Sequence, residues 1–268
     1  MMGNWATRLS IGFLTLISIL SISMIWIGHP NDIHLNGNTN PTSPDIHHIL
    51  GTDDLGRDIG SRILDGARIS LGVGLIAMTI SVSIGTIIGL FSGFMGGLTD
   101  ELIMRVVDFI MGLPTLFIIL IIQVILGPSL INAIVVIGAT SWMGIARLVR
   151  AEILSIRERP YILAARARGF SPWRIAIRHA LPNAVSSIIV SGILTMGGAI
   201  LTESVLSFLG LGVQPPQASW GSMLQHSTDY LYTAPWMAIS PGLAITLTVL
   251  SLNFIGDTLR GRASGGRS

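Results

Sequence analysis

The sequence predicts an all-α integral membrane protein with about six transmembrane helices. Half of its 268 residues are hydrophobic and only 11% are charged, whereas a soluble domain carries about 25% charged residues. Its mean hydropathy is +0.69. The few charges separate long uncharged runs, and most of these reach the roughly 20 apolar residues that a helix needs to cross the hydrocarbon core.

These uncharged runs define the predicted spans. The first resembles a secretory signal, but its apolar run continues to Ile27, past the small residues Ser21 and Ser23, which favours an uncleaved helix. A Gly-Pro-Ser turn at 127–129 divides the run between Asp108 and Arg147 into a third and a fourth helix. The predicted spans are residues 9–27, 69–94, a third starting near Leu102, a fourth ending near Arg147, 179–202 and 230–256.

The distribution of arginine predicts the orientation. With the N-terminus inside, the inner segments hold thirteen of the sixteen arginines and the outer segments hold only Arg57, Arg62 and Arg68. The positive-inside rule therefore predicts that both termini face the cytoplasm. All sixteen basic residues are arginine, so a P-loop, which needs a lysine, is excluded. The chain has no cysteine and therefore no disulfide or thiolate metal site.

The same pattern predicts the domain organisation. Residues 1–28 form an N-terminal tail and the first helix, and residues 29–68 form an external segment. A five-helix core follows at 69–256 and contains a cytoplasmic loop at 148–182. Residues 257–268 form a cytoplasmic tail.

The cytoplasmic loop concentrates charge and has internal order. Six arginines lie within residues 157–183. Pro160 is suited to the first turn of a short helix that Gly169 would end, and Ser171 with Pro172 would begin a second one.

Two small residues in this loop favour the docking of another protein. Ala164 and Ala165, which are followed by Arg166 and Arg168, would allow a protein surface to approach closely. The alternative is that the arginines set the topology and contact lipid phosphates.

Three further features lie in or near the membrane. Gly85, Gly89 and Gly93 recur every fourth residue and predict close helix packing, within the chain or against a partner. Glu203 either faces a translocation pathway or anchors the turn that follows it; we favour the anchor. Asp108 is predicted to pair with Arg105.

Neither catalysis nor metal binding is predicted. Four histidines lie in the first external segment and a fifth, His226, in the second, but no pair has the spacing of a recognised site. No nucleophile with an oriented base can be named. The four histidines of the first external segment are His29, His34, His47 and His48.

The stretch LAARARGFSPWRIAIRHALPN resembles the cytoplasmic signature of ATP-binding-cassette (ABC) importer permeases. That signature is Glu-Ala-Ala, then Gly four residues beyond the second alanine, then Leu-Pro. Leu163 replaces the leading glutamate. The matching positions are Ala164, Ala165, Gly169, Leu181 and Pro182.

Two further stretches resemble the peptide and nickel branch of these permeases, in its second-subunit type. They are HHILGTDDLGRDIGSRILDGARISL, which starts at His47, and ESVLSFLGLGVQPPQASWGSML, which starts at Glu203. In the first, we favour a scaffold that holds the start of the second helix, with contact to an external binding protein as the alternative. The residues concerned are Gly51, Asp53, Asp54, Gly56, Arg57 and Asp58.

The resemblance implies a type I ABC importer permease in a bacterial inner membrane, in which the cytoplasmic loop forms coupling helices. It implies a homologous permease as heterodimer partner, two ABC ATPase subunits that bind ATP and Mg, an extracytoplasmic solute-binding protein and surrounding lipid. No cofactor, enzymatic activity or nucleic acid is expected for this chain. Dipeptides, oligopeptides, glutathione-like peptides and nickel or its chelates remain open as cargo. A self-contained secondary transporter or channel is the alternative function.

Overall fold

The computed structural model describes residues 3–27 and 41–265, which are mostly helical. The described part contains no β-strand, only an isolated bridge between Thr52 and Asp58. A π-type turn, Ala176–Ala180, precedes the ninth helix, and a 3-10 turn, Thr228–Tyr230, follows the tenth. The helices are α1 Gly3–Ile27, α2 Ile59–Met95, α3 Gly97–Met111, α4 Thr115–Leu126, α5 Leu130–Thr140, α6 Trp142–Arg157, α7 Pro160–Ala167, α8 Pro172–Ile175, α9 Leu181–Phe208, α10 Trp220–Ser227 and α11 Trp236–Gly265.

The spans agree in number with the sequence prediction and differ in detail. Five helical stretches within the described residues are long and apolar enough to cross a membrane, or six if the bent pair α3–α4 counts as one span. That pair bends by 81°, so the prediction of one continuous third helix was wrong. The bend coincides with Gly112 and Pro114 between the two helices, where proline cannot supply a backbone N–H.

Several helices extend beyond the charges that were used to delimit them, including α1, which begins at Gly3, and α11, which continues to Gly265. α2 begins at Ile59, ten residues before the predicted start, because Asp58 caps it by accepting a hydrogen bond from the Ser61 N–H at 2.7 Å. α6 continues to Arg157 and α9 to Phe208. The predicted boundaries at Ile69, Arg147 and Thr202 were therefore too short.

The longest helix, α2, forms the centre of the packing. A side chain added at Gly89 would place its Cβ 2.5 Å from the carbonyl oxygen of Ala146, and one at Gly85 would meet the Trp142 carbonyl at 2.7 Å. Gly93 approaches the Arg150 carbonyl in the same way, at 3.0 Å. The glycine stripe therefore packs against α6 within the chain, which is the first of the two predicted alternatives.

A charged pair joins α3 to α6 beside this interface. Arg150 donates to both carboxylate oxygens of Asp100, each at 2.6 Å, and the Ser92 hydroxyl of α2 also donates to Asp100. This bidentate geometry is the strongest form of a charged hydrogen bond. It explains how Arg150 is accommodated beyond the predicted end of the fourth span.

The predicted pair of Asp108 with Arg105 was wrong. Arg105 instead pairs with Glu101 at 2.7 Å, one helical turn before it. Asp108 lies 3.5 Å from Arg147 of α6. Glu101 lies four residues before Arg105 on the same face of α3, and α6 brings Arg147 close to Asp108.

The beginning of α1 lies against the end of α11. The hydroxyl oxygens of Thr7 in α1 and Thr258 in α11 are 2.6 Å apart. Farther along, Ile17 of α1 shares a core cluster with Ala244 and Ile245 of α11 and with Ile200 of α9. Residues 28–40 and 266–268, and with them His29 and His34, lie outside the described residues.

We expect Gly89→Val to destabilise the fold by about 1–3 kcal/mol, because the added side chain meets backbone atoms of α6 that cannot move aside. Thermal unfolding of the purified protein in detergent measures this effect. Gly72→Val is the matched control, since a Cβ at Gly72 of the same helix meets nothing within 4 Å. Equal melting temperatures for the two variants would contradict the packing interpretation.

Candidate functional site

The connection between α6 and α9 folds as two short helices joined at a glycine. Pro160 occupies the first turn of α7. Gly169 ends that helix with φ of 76°, a left-handed conformation that glycine adopts without strain. The N–H of Gly169 donates to the Arg166 carbonyl at 2.9 Å, and the N–H of Phe170 donates to the Ala165 carbonyl at 3.3 Å. This pairing is a Schellman motif, so the predicted stop at Gly169 is confirmed.

The second helix of the loop starts as predicted. Ser171 caps α8 and accepts a hydrogen bond from the Arg174 N–H at 3.4 Å, and Pro172 follows in the first turn. A π-type turn then leads into α9, in which Pro182 occupies the first turn. The loop is therefore continuous with α9, and a displacement of α8 acts directly on that helix.

Apolar side chains fix the loop to the transmembrane core. Ile162 of α7 and Ile175 of α8 are fully buried. They belong to one cluster with Phe94 of α2, Val149 of α6 and Ile188 of α9. The loop is thus attached to three spanning helices rather than suspended between two of them.

The two alanines predicted for docking lie in different environments. Ala164 is exposed, as a docking residue would be. Ala165 is only 6% exposed and packs in the same core cluster as Ile162. Leu181 is partly buried against that cluster, whereas Arg166 and Pro182 are exposed. The structure therefore brings these residues together, with Ala165 and Leu181 on the inner face.

Two arginines of the loop lie beside aromatic rings, which the sequence analysis missed. The guanidinium of Arg166 lies 5.5 Å from the centroid of the Phe94 ring, and that of Arg174 lies 5.9 Å from the Phe170 ring. Phe170 also stacks on His179, with ring centroids 6.3 Å apart. These contacts hold the arginines in defined positions. The alternation of arginine and aromatic residues was the signal that could have revealed them.

A groove of about 380 Å³ lies between this loop and the end of α2. Phe94 and Ile175 provide apolar surface, and Arg157 and Arg166 provide positive charge. The Arg157 side chain also donates to the carbonyl of Gly93 at 3.3 Å. The groove can therefore receive an element of another protein that combines apolar and acidic side chains.

The predicted scaffold at the opposite end of α2 forms a compact turn. Gly51 and Gly56 have φ of 76° and 71°. Asp53 accepts a hydrogen bond from the Arg57 guanidinium at 2.7 Å and lies 3.5 Å from the Arg62 guanidinium. Asp58 has a different role. It caps α2 and contacts His48 at 3.1 Å.

The remaining acids of this segment have local roles or none. One carboxylate oxygen of Asp54 is buried without a hydrogen-bond partner. The backbone N–H groups of His48 and His47 lower the pKa of Asp45 from its ordinary value, which keeps that carboxylate ionised in its turn. No group of three potential ligands that could hold a metal occurs within residues 3–27 and 41–265.

Glu203 lies inside the helix packing and contacts hydroxyl groups. It is fully buried and accepts hydrogen bonds from Ser207 at 2.6 Å and from Ser70 of α2 at 3.3 Å. The Ser207 hydroxyl in turn accepts from the N–H of Val213, and the Ser70 hydroxyl accepts from that of Trp220. Glu203 is thus placed where an anchor for the following turn would be.

Comparison with known proteins agrees with this architecture. The chain is 44% identical to the dipeptide transport system permease protein DppC of Alkalihalophilus pseudofirmus, over 83% of this chain and 74% of that protein. It is 43% identical to the glutathione transport system permease protein GsiD of Pectobacterium atrosepticum, over 81% and 72% of the two chains. It is 38% identical to a putative peptide transport system permease of Brucella abortus, over 97% and 88%.

The fold also matches a solved transporter. A chain of the inward-facing MetNI methionine ABC transporter superposes with a TM-score of 0.60 at 20% identity, over 75% of this chain and 95% of that one. Residues 85–264, which include the two-helix loop, match the family model of binding-protein-dependent transport system inner membrane components. The chain belongs to this family of membrane permeases of ABC importers.

Proposed function

We propose that this chain forms one half of the translocation pore of an importer for di- or oligopeptides, paired with a homologous permease in a heterodimer. Two ABC ATPase subunits, which bind ATP and Mg, dock on the loop between α6 and α9. A solute-binding protein delivers the cargo from the other side. The names of the relatives, which include dipeptide, glutathione and peptide permeases, support this cargo class. None of the relatives described above is named for nickel.

The observation that carries the coupling role is the way the loop is anchored. Ala164 and Arg166 lie on the outer face, while Ile162 and Ile175 fix the loop to α2, α6 and α9. A force on the outer face is therefore delivered to three spanning helices at once. ATP binding would draw the two coupling loops of the heterodimer together and turn the cavity outward, and hydrolysis would return it.

The distribution of arginine supports an orientation with both termini and the coupling loop in the cytoplasm. The adjacent ends of α1 and α11 are consistent with it. The exposed apolar faces of the spans then contact lipid or the partner permease. The chain acts as a transport component and not as an enzyme, because hydrolysis belongs to the ATPase subunits. A self-contained transporter or channel is not favoured by the family membership.

We expect Gly169→Val to leave membrane insertion intact and to weaken ATPase binding about tenfold, because a β-branched residue in a left-handed conformation costs more than about 1–2 kcal/mol. A Cβ at this position meets nothing within 4 Å, so the effect is conformational. Titration of the reconstituted heterodimer with ATPase subunits measures it, and peptide uptake should fall in parallel.

Two variants serve as controls for this substitution. Gly169→Asn should bind the ATPase nearly as well as the wild type, since asparagine tolerates the left-handed region. Gly127→Val also places a β-branched residue at a positive φ, 83°, with nothing within 4 Å, but between α4 and α5. Normal uptake by the Gly169→Val variant, or equal loss of ATPase binding in Gly127→Val, would refute the coupling assignment.

We expect the reconstituted complex to hydrolyse ATP faster when its binding protein is supplied with peptides, and not when it is supplied with nickel or nickel chelates. The measurement compares stimulated ATPase activity across these cargoes, with the empty binding protein as reference. Stimulation by nickel species alone would refute the peptide proposal and leave the permease class in place.

A further inference from the structure

The bent pair α3–α4 is a broken span rather than a re-entrant loop. α3 follows α2 directly after Gly96, and α5 begins at Leu130, shortly after α4 ends. Both α2 and the stretch Leu130–Arg157 are long and apolar enough to cross the membrane, so the pair starts on one side and ends on the other. With its bend of 81° and a rise of about 1.5 Å per residue, the pair reaches roughly 30 Å, which is about the hydrocarbon thickness.

The break itself therefore lies inside the hydrocarbon core. α3 is roughly 22 Å long and α4 roughly 18 Å, so neither helix alone crosses a core of about 30 Å. The residues of the break, Gly112–Pro114, are exposed in this chain. The carbonyl groups of Met111, Gly112 and Leu113 accept no hydrogen bond from any described residue. Backbone of this kind does not face lipid, and it is tolerated only where protein buries it or where it lines a water-filled cavity.

A charged stripe leads along α3 to this break. Spacings of three and four residues place side chains on one face of a helix. The exposed residues at such spacings are Glu101, Arg105, Asp108 and Gly112. Glu101 pairs with Arg105 at 2.7 Å, and Asp108 lies 3.5 Å from Arg147 of α6. The side chains of Asp108 and Arg147 remain 60% and 54% exposed, so the rest of this chain does not remove them from solvent.

The Asp108–Arg147 pair lies at membrane depth. Arg147 is 17 residues beyond Leu130, the first residue of its span. This separation corresponds to roughly 25 Å along the helix, which is still within a core of about 30 Å. Ionisable side chains at such depth face the interior of a helix bundle or a water-filled cavity rather than lipid. The pair and the break, one helical turn apart, therefore share the same requirement.

A dry contact with the partner permease is the less favourable of the two environments that remain. The Asp108–Arg147 distance of 3.5 Å exceeds the length of a charge-assisted hydrogen bond, which is about 2.7–2.9 Å. The other contact of this guanidinium, with the Sδ atom of Met111 at 3.6 Å, involves the same Nη1 atom. Removing such loosely paired charges from water costs more free energy than this geometry recovers. Water is thus the better surroundings for the pair.

We propose that the charged stripe of α3 and the break at Gly112–Pro114 line the water-filled translocation pathway between the two permeases. The stripe forms the cytoplasmic part of this lining, and the break lies deeper in the membrane. The free carbonyl oxygens at the break can accept hydrogen bonds from the N–H groups of a peptide. This inference rests on the proposed half-pore function and adds which face of the chain meets the cargo.

The absence of cysteine from this chain allows a test with single introduced thiols. Gly112→Cys places one at the break, where φ of −70° suits any residue. The assembled complex in lipid nanodiscs is treated with a methanethiosulfonate reagent that carries a sulfonate group and reacts with thiolates. Thr233→Cys, at an exposed position between α10 and α11, gives the rate in water. We expect Gly112→Cys to react within about tenfold of that rate, because only a hydrated thiol ionises readily.

Leu16→Cys is the matched control for exposure to lipid. Leu16 is 58% exposed on α1 and lies eight residues beyond Arg8, or roughly 12 Å along the helix, at a depth similar to that of the break. We expect it to react at least about 100-fold more slowly than Thr233→Cys, because hydrocarbon excludes both the thiolate and the charged reagent. Equal rates for Gly112→Cys and Leu16→Cys would overturn the proposal. Leu113→Cys, at the neighbouring exposed position, repeats the test if Gly112→Cys does not assemble.

Peptide uptake separates the pathway from any other water-filled crevice. We expect uptake by the Gly112→Cys complex to fall at least about tenfold once it is modified, because the attached sulfonate adds bulk and charge to the passage. The wild-type complex, treated in the same way, controls for reaction with the other subunits. Rapid modification without loss of uptake would overturn the proposal. If the untreated wild-type complex takes up no peptide, the proposed importer function fails, and this is evident before any reagent is added.

Discussion

The close approach of α2 and α6 is the contact on which the rest of the structure depends. Three glycines of α2 let carbonyl groups of α6 come near enough that any side chain would clash. In lipid, where burial of apolar surface supplies no drive between helices, such contact provides the attraction. Since α6 leads directly into the coupling loop and α2 is about 55 Å long, this interface positions functional surfaces on both sides of the membrane.

Polar side chains within the helices form hydrogen bonds with other side chains or with backbone groups. Asp100 is neutralised by Arg150, Glu203 is surrounded by serine hydroxyls, and Gln123 donates to the carbonyl of Leu211 at 2.8 Å. Ionisable groups at membrane depth are costly unless they are paired. The contacts of Asp100 with Arg150, of Glu203 with Ser70 and of Gln123 with Leu211 join elements that are distant in sequence, so these polar groups add specificity to the helix packing.

Much of this fold could be predicted from the sequence because its signals are local. Apolar runs revealed the spans, and Gly169 revealed the end of α7, since only local backbone chemistry decides that stop. The errors have a common origin in tertiary contacts. Arg150 lies inside a helix that was predicted to end near Arg147, and it is accommodated there because Asp100 pairs with it across 50 residues. The groove beside Phe94 and a cavity beside Arg62 are each lined by side chains that are far apart in sequence, so no short motif predicts them.

The helix α2 connects the two ends of the molecule. Its 37 residues form one continuous helix without proline, which is one of the usual causes of a sharp bend. Arg62 near its start and Phe94 near its end therefore lie on one helix. If α2 occupies different positions in the inward and outward states, binding at either end shifts the same equilibrium. Thermodynamic linkage then requires that ATPase closure and binding-protein docking influence each other equally.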